Sequence, residues 1–409
     1  MIYFLVLIFL LWLSYLYDYR GQKRGFKLSF AITLILFIAI AGLRYRVGGD
    51  TSNYMKYFDL VHTWDSLSAT DFTKSRFAPG FVLLTSSLKT LINDYLFFQL
   101  FHATVINCVV FWFIRKNCKH VFFALFLFFN FLYFYLLFEQ VRESFAVAIF
   151  LLAWPAFKRN CWWQWYLASI CAFMMHISAF IMFFLPIINL PWIRNIFIYG
   201  RRTWVICFIV LLISFVIQTT LFRYVQMIAV TESMFDRAQA YGSMNSEETF
   251  NINRIVGNFF QFIIYPLLAL YFLNAEYKQQ HLNAQQKNTF DKENMMVLMS
   301  VYISILSIFV GIFVRYNNYF FLFAIITMSD WVFSKLYIAR KYVRLGYLYW
   351  ILIFIPMLSF NIYITYLTPV NKSGNLKPYM MYVPYSSMFD QTKDQDREKT
   401  IIYIRRSLR

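Results

Sequence analysis

The segment Arg44-Tyr45-Arg46-Val47-Gly48-Gly49-Asp50-Thr51-Ser52-Asn53-Tyr54 concentrates the chemistry of this sequence, an acid set behind two glycines just after an apolar run. The glycines allow a tight turn as the chain leaves a helix, which aims Asp50 back toward the surface that helix came from. A carboxylate there can serve as a general base once a hydroxyl comes within hydrogen-bond reach. It can equally cap a short helix running through Tyr54, with Arg44 and Arg46 as headgroup anchors.

A second segment, Glu139-Gln140-Val141-Arg142-Glu143-Ser144, joins two apolar runs. Arg142 stands near a helix N-terminus, where the dipole favours anions, so it calls for a negative partner. Glu139 and Glu143 are the near ones; a pyrophosphate oxygen is the other, because a guanidinium fork matches phosphate bidentately. His176, in Met-Met-His-Ile-Ser-Ala, falls at the outer end of a run and reads as an acid-base group or as a satisfied polar contact. Arg254 opens an apolar run, and Arg315-Tyr316-Asn317-Asn318-Tyr319 lies between two more. Together with Tyr54, Tyr57 and Trp64 these suit an anionic lipid-linked sugar, cations on phosphate and rings on pyranose faces. The same residues would also make an interfacial belt with snorkelling arginines.

The elements that must position these groups are membrane helices. Of 409 residues 60% are hydrophobic and 14% charged, more apolar surface than a soluble core of this size can hide. The expected fold is an all-α polytopic membrane protein. Short basic loops at 18–27, 115–120, 157–160, 191–202, 274–294 and 338–345 mark the cytoplasm. The spans between them are roughly 1–17, 28–43, 95–114, 121–139, 143–157, 161–176, 177–190, 203–222, 254–273, 295–314, 317–337 and 346–366. That is about twelve transmembrane helices, with both termini outside. Residues 79–93 break the alternation and read as a re-entrant or surface-lying helix on the outer face. This topology puts Arg44, Arg46, Asp50, Arg142, Glu143, His176, Arg254 and Arg315 on one side, around an outer-face polar cavity. Lys89 and Asp330 are the charges that fall inside apolar runs.

The expected organisation is a single transmembrane domain, 1–366, with outer loops 44–78 and 223–253, followed by an extracytoplasmic tail, 367–409. The tail has an aromatic part, Pro378 to Phe389, suited to packing back on the bundle, and a charged end, 390–400, expected to be solvated or mobile. The net charge of +18 is spread over short turns, which argues against nucleic acid. Five cysteines show neither a disulfide framework nor a zinc spacing, and no phosphate-binding glycine loop or metal cluster is present. Neither a cofactor nor a metal site is expected, and a divalent-ion requirement is left open. Residues 1–17, without a basic start or a cleavage site, read as a retained helix.

The stretches Leu43 to Tyr54, Val141-Arg142-Glu143-Ser144-Phe145-Ala146, His176-Ile177-Ser178-Ala179 and Arg315-Tyr316-Asn317-Asn318-Tyr319-Phe320 resemble, in order and spacing, the EpsG family of Wzy-like exopolysaccharide and O-antigen polymerases. The resemblance implies a glycosyltransferase of the bacterial inner membrane, joining undecaprenyl-pyrophosphate-linked repeat units on its periplasmic, extracytoplasmic face. Donor and acceptor would both be lipid-linked glycans, with a chain-length regulator and a flippase as further partners. Asp50 is the first choice of base, followed by Glu139 and His176. Arg142 and Arg315, helped by Arg44, Arg46 and Arg254, would hold the leaving pyrophosphate, with Tyr54, Glu143, Tyr316, Asn317 and Tyr319 around the substrate. The competing expectations are a glycosyltransferase adding one sugar from a polyprenyl phosphate, and a flippase or transporter for lipid-linked oligosaccharide.

Overall fold

The computed structural model describes residues 2–190 except 74 and 76, then 193, 205–210, 212–213, 284–309, 313–339, 367, 376–390 and 395–407. Among these residues every regular element is a helix, and the only extended pairing is an isolated bridge between Arg44 and Ser387. The expected spans 254–273 and 346–366, the loop 223–253 and Arg254 lie outside the described residues. Of the span 203–222, residues 205–210 and 212–213 are described, as helix. The chain folds as two compact units, Met1–Pro186 with Met380–Ile401, and Ile187–Tyr379 with Ile402–Arg409.

In the first unit α1 (Ile2–Leu13) continues through a wide π-type turn, Ser14–Tyr19, and α2 (Phe26–Gly42) follows. Helices α3 (Thr51–Leu60), α4 (Ala69–Thr73) and α5 (Pro79–Leu91) occupy the expected first outer loop and the segment after it. Then come α6 (Tyr95–Asn117), α7 (Val121–Phe128), α8 (Val141–Lys158), α9 (Trp162–Met175) and α10 (Ile181–Ile188). The α1 helix with its π turn is 18 residues long and α6 is 23. At about 1.5 Å per residue these approach or exceed the roughly 30 Å of a bilayer core. With the composition, they make this a helical membrane protein.

Every residue of α7 is buried, so this all-apolar helix forms the centre, with α1 against it. Two further π-type turns, Phe129–Tyr133 and Tyr135–Glu139, carry α7 on to Glu139. Helix α6 packs between α2 and α8, and α8 against α9. Gly42 lets α2 close on α6: a Cβ there would stand 2.7 Å from Leu100 Cδ1. Gln99 of α6 reaches back to donate to the Gly42 and Arg44 carbonyls, each at 2.8 Å, which satisfies backbone left open where α2 ends.

Helix α5 has 13 residues, about 20 Å, shorter than the roughly 30 Å of a bilayer core. Both of its ends are tied to the end of the unit that holds the 44–78 loop. Gly80 lies against the backbone of Met174 near the end of α9, where a Cβ would meet the carbonyl oxygen at 2.8 Å. At the other end Lys89 Nζ donates to the carbonyls of Phe58, Asp59 and Val61 at 2.8, 2.9 and 2.9 Å. Lys89 is therefore not a charge inside an apolar layer. It neutralises the carbonyl end of α3, where the helix dipole favours a cation.

The tail continues past its charged stretch into a helix. Residues 381–388 do pack back on the bundle, but beyond them α13 is helical from Gln395 to Ser407, buries Ile401 and pairs Glu398 with Arg46. Ile401 and Ile404 are buried, while Ile402 and Tyr403 between them are exposed. In the second unit α11 (Ala284–Phe309) packs on α12 (Phe313–Ala339) through a largely buried interface.

Candidate functional site

The site is built from the chain that leaves α2. Gly48 adopts a φ of +104°, a conformation that L side chains rarely take, and turns the chain into α3. Thr51 Oγ1 closes that turn on the Val47 carbonyl at 2.7 Å. Asp50 occupies the N-cap position of α3, and its backbone carbonyl accepts from Asn53 and Tyr54 N–H at 3.0 and 3.1 Å. Its side chain makes no cap hydrogen bond to a backbone N–H of the helix; the Asn53 side chain, in the first turn of α3, donates from Nδ2 to Oδ1 at 3.3 Å.

Glu139, at the end of the π turns, receives this loop. Its Oε1 accepts the Gly49 N–H at 2.7 Å and the Tyr382 hydroxyl at 3.0 Å. Glu139 therefore fixes the turn that precedes Asp50. It does not pair with Arg142.

Arg142 lies in the first turn of α8, half-buried. Its guanidinium stacks 4.3 Å from the centroid of the Phe77 ring, and its Nε donates to Tyr54 Oη at 3.4 Å. Among the described residues it makes no ion pair. Around it Tyr57 meets Phe77 edge to face at 4.1 Å, and Tyr54 meets Phe77 and Phe81 at 6.4 and 6.2 Å. Burial pushes the Tyr57 phenol up to about 12, against the opposing effects of Ser75 and Arg142, so it stays a neutral donor at physiological pH. A guanidinium, two phenols and stacked rings can hold an anion at one end and a sugar face at the other.

A family model for the EpsG family matches residues 27–387. The chain belongs to the EpsG family. No curated protein and no solved structure matches it. Membership makes it an exopolysaccharide-related, polymerase-like membrane protein.

Not all of the arginines expected at the site of this EpsG-family chain face outward. Arg44 is 1% exposed, stacks 4.5 Å from the Phe138 centroid, and donates to the carbonyls of Val47 and Ala41. Burial holds its guanidinium below the usual arginine range, opposed by Tyr95, Tyr133 and Glu139. It clamps the loop from beneath. Arg46, with a φ of +52°, pairs with Glu398 of α13. Glu143 is fully buried in the first turn of α8, where a carboxylate suits the dipole.

His176 is 5% exposed, and its Nδ1 accepts the Ser178 N–H at 3.2 Å and lies 2.6 Å from the Ser178 hydroxyl. It caps the short turn Ile177–Phe180, a positional role that a helix N-terminus gives to such a side chain. In the second unit Arg315 and Tyr316 are half-buried in the first turn of α12. Tyr319 is fully buried, and Asn317 Oδ1 accepts from Ser300 of α11 at 2.8 Å. These residues lie inside a helix, where the sequence placed the turn between two apolar runs.

Sequence reading missed Tyr382, Phe77 and the role of Lys89. Tyr382 lies 243 positions from its partner Glu139, beyond any spacing argument. The one signal was the density of tyrosines in the tail.

Proposed function

We propose that this chain is a polysaccharide polymerase that joins lipid-pyrophosphate-linked repeat units on the outer face of the bacterial inner membrane, with its site around Asp50 and Arg142. The observation that carries the reading is Arg142. It is a half-buried cation in the first turn of a helix, held by an aromatic ring and a phenol instead of a carboxylate. A group so placed has its charge available for an anionic ligand, and a pyrophosphate supplies the matching oxygens.

In the reaction the acceptor hydroxyl attacks the anomeric carbon of the donor. A new carbon–oxygen bond forms as the anomeric carbon–phosphate oxygen bond breaks, and polyprenyl pyrophosphate leaves. The hydroxyl proton passes to the Asp50 carboxylate. Negative charge grows on the leaving oxygen, where Arg142 stabilises it more in the transition state than in the ground state. Tyr54, Tyr57 and Phe77 offer stacking faces to the sugar. No step calls for a cofactor, and a metal requirement forms no part of the proposal.

The test uses purified protein in vesicles with a lipid-linked oligosaccharide. A ladder of repeats with release of polyprenyl pyrophosphate supports the polymerase. One added sugar from a polyprenyl phosphate places the chain among single-addition glycosyltransferases, and lipid movement across the bilayer without product makes it a flippase.

A further inference from the structure

We propose that the C-terminal segment 381–388 is part of the site, with Tyr382 as a positioning residue for Glu139 and, through it, for the turn that carries Asp50; this rests on the polymerase reading above. The segment lies against residues 43–48 in turns and bends, with one isolated bridge between Ser387 and Arg44. Gly48 N–H donates to the Met381 carbonyl at 3.0 Å, Tyr45 N–H to the Ser386 carbonyl at 2.9 Å, and Met388 N–H to the Leu43 carbonyl at 2.9 Å. Tyr385 Oη adds a bond to the Ile40 carbonyl at 3.1 Å. The backbone between the end of α2 and the start of α3 thus draws much of its satisfaction from a segment more than three hundred residues away in sequence.

Within this layer Tyr382 has a separable task. Its ring packs edge to face on Phe134 at 5.4 Å and on Phe138 at 6.0 Å, and its carbonyl accepts from Tyr3 Oη at 3.1 Å. A phenylalanine would fill the same place. The hydroxyl goes to Glu139 Oε1, the oxygen that also takes the Gly49 N–H. Two donors on one oxygen hold the carboxylate in one rotamer, and that rotamer holds the Gly48–Gly49 peptide unit, one residue ahead of Asp50. Glu139 itself has no free choice of position, because Gly49 offers no Cβ and its carboxylate fills the space where one would be. The chain of control runs from tail to hydroxyl, to carboxylate, to turn, to base. A misplacement of about 1 Å in a base is enough to cost orders of magnitude in rate.

The experiment compares the full chain with Tyr382→Phe, Glu139→Ala and the double variant, reading amide hydrogen exchange without substrate and repeat-unit polymerisation with it. Tyr382→Phe is expected to speed exchange of the amides at 48–51 by about tenfold while those of 381–388 stay protected. It is expected to lower kcat by about tenfold with KM within about twofold, and to add nothing in the Glu139→Ala background. Unchanged exchange at 48–51 overturns the proposal. So does an equal fall in kcat in both backgrounds. Loss of protection along all of 381–388 gives the hydroxyl a folding role and also overturns it. A parent chain that forms no polymer refutes the polymerase reading alone, and the exchange result then still decides the positioning claim.

Discussion

Gly49 donates its backbone N–H to Glu139 Oε1 at 2.7 Å, joining the turn before α3 to the end of the π-turned helix 90 positions later. The other carboxylate oxygen lies 2.8 Å from where a Gly49 Cβ would stand, and Met381 Sδ lies at 3.2 Å from it. Gly49→Ala must therefore displace a carboxylate that Tyr382 also holds. The expected cost is about 1–3 kcal/mol of stability, with a fall in polymerisation rate of about tenfold. Thermal unfolding in detergent and the repeat-unit assay check it; a variant with parental melting point and rate contradicts the account of this contact.

Arg142→Lys should behave almost like Arg142→Ala. A lysine keeps the charge but loses both the planar fork and the stacking on Phe77. Both variants are expected to lose about 10²–10³ in kcat/KM for the lipid-linked donor. Steady-state kinetics at two salt concentrations measures it, and full activity of the lysine variant would show that a point charge suffices.

Lys89→Met should act on structure alone. It removes a cation from three carbonyls that end α3 while keeping the side-chain length. The expected loss is about 2 kcal/mol, with faster amide exchange confined to the end of α3 and the loop after it. Equal melting points for parent and variant would show that water replaces the ammonium at no cost.

The clip between Ser68 and Asp71 should carry the acid sensitivity of the loop between α3 and α5. The Ser68 N–H, at 2.7 Å, holds the Asp71 carboxyl below the usual carboxylate range, with the Ser68 hydroxyl and His62 adding to the effect. A carboxylate with a lowered folded value stabilises the fold above its unfolded pKa of about 3.9 and loses that contribution as pH falls through the lower folded value. Amide exchange at 68–73 is expected to rise with acidification below about pH 4, and Asp71→Asn to flatten the dependence. An identical acid response in the variant would move the sensitivity elsewhere.

Helical character was legible in the apolar runs bounded by charge, and some helix bounds with it. The run 121–139 is one continuous helix through its π turns, and 161–176 is closely matched by Trp162–Met175. Helix α6 extends a few residues past the expected 114, because Arg115 and Lys116 favour a helix C-terminus and stack on Phe30 and Trp112. The residue types around Asp50, Glu139 and Arg142 were legible too, since glycine, acid and misplaced cation each violate a local preference. The partners were not. Arg44 and Arg46 are alike in sequence, yet Arg44 donates to backbone carbonyls and Arg46 pairs with Glu398 of α13. Glu139 read as a partner of Arg142 by proximity along the chain, and only the fold shows its partners to be Gly49 and Tyr382.

The most direct test of the central claim is the product formed from a lipid-linked repeat unit by the parent, Arg142→Ala and Asp50→Asn, each reconstituted in vesicles and followed by mass spectrometry. The account predicts a ladder and released polyprenyl pyrophosphate from the parent, with both variants reduced by about 10²-fold or more at parental stability. A ladder of parental length and rate from the Arg142→Ala chain would contradict it.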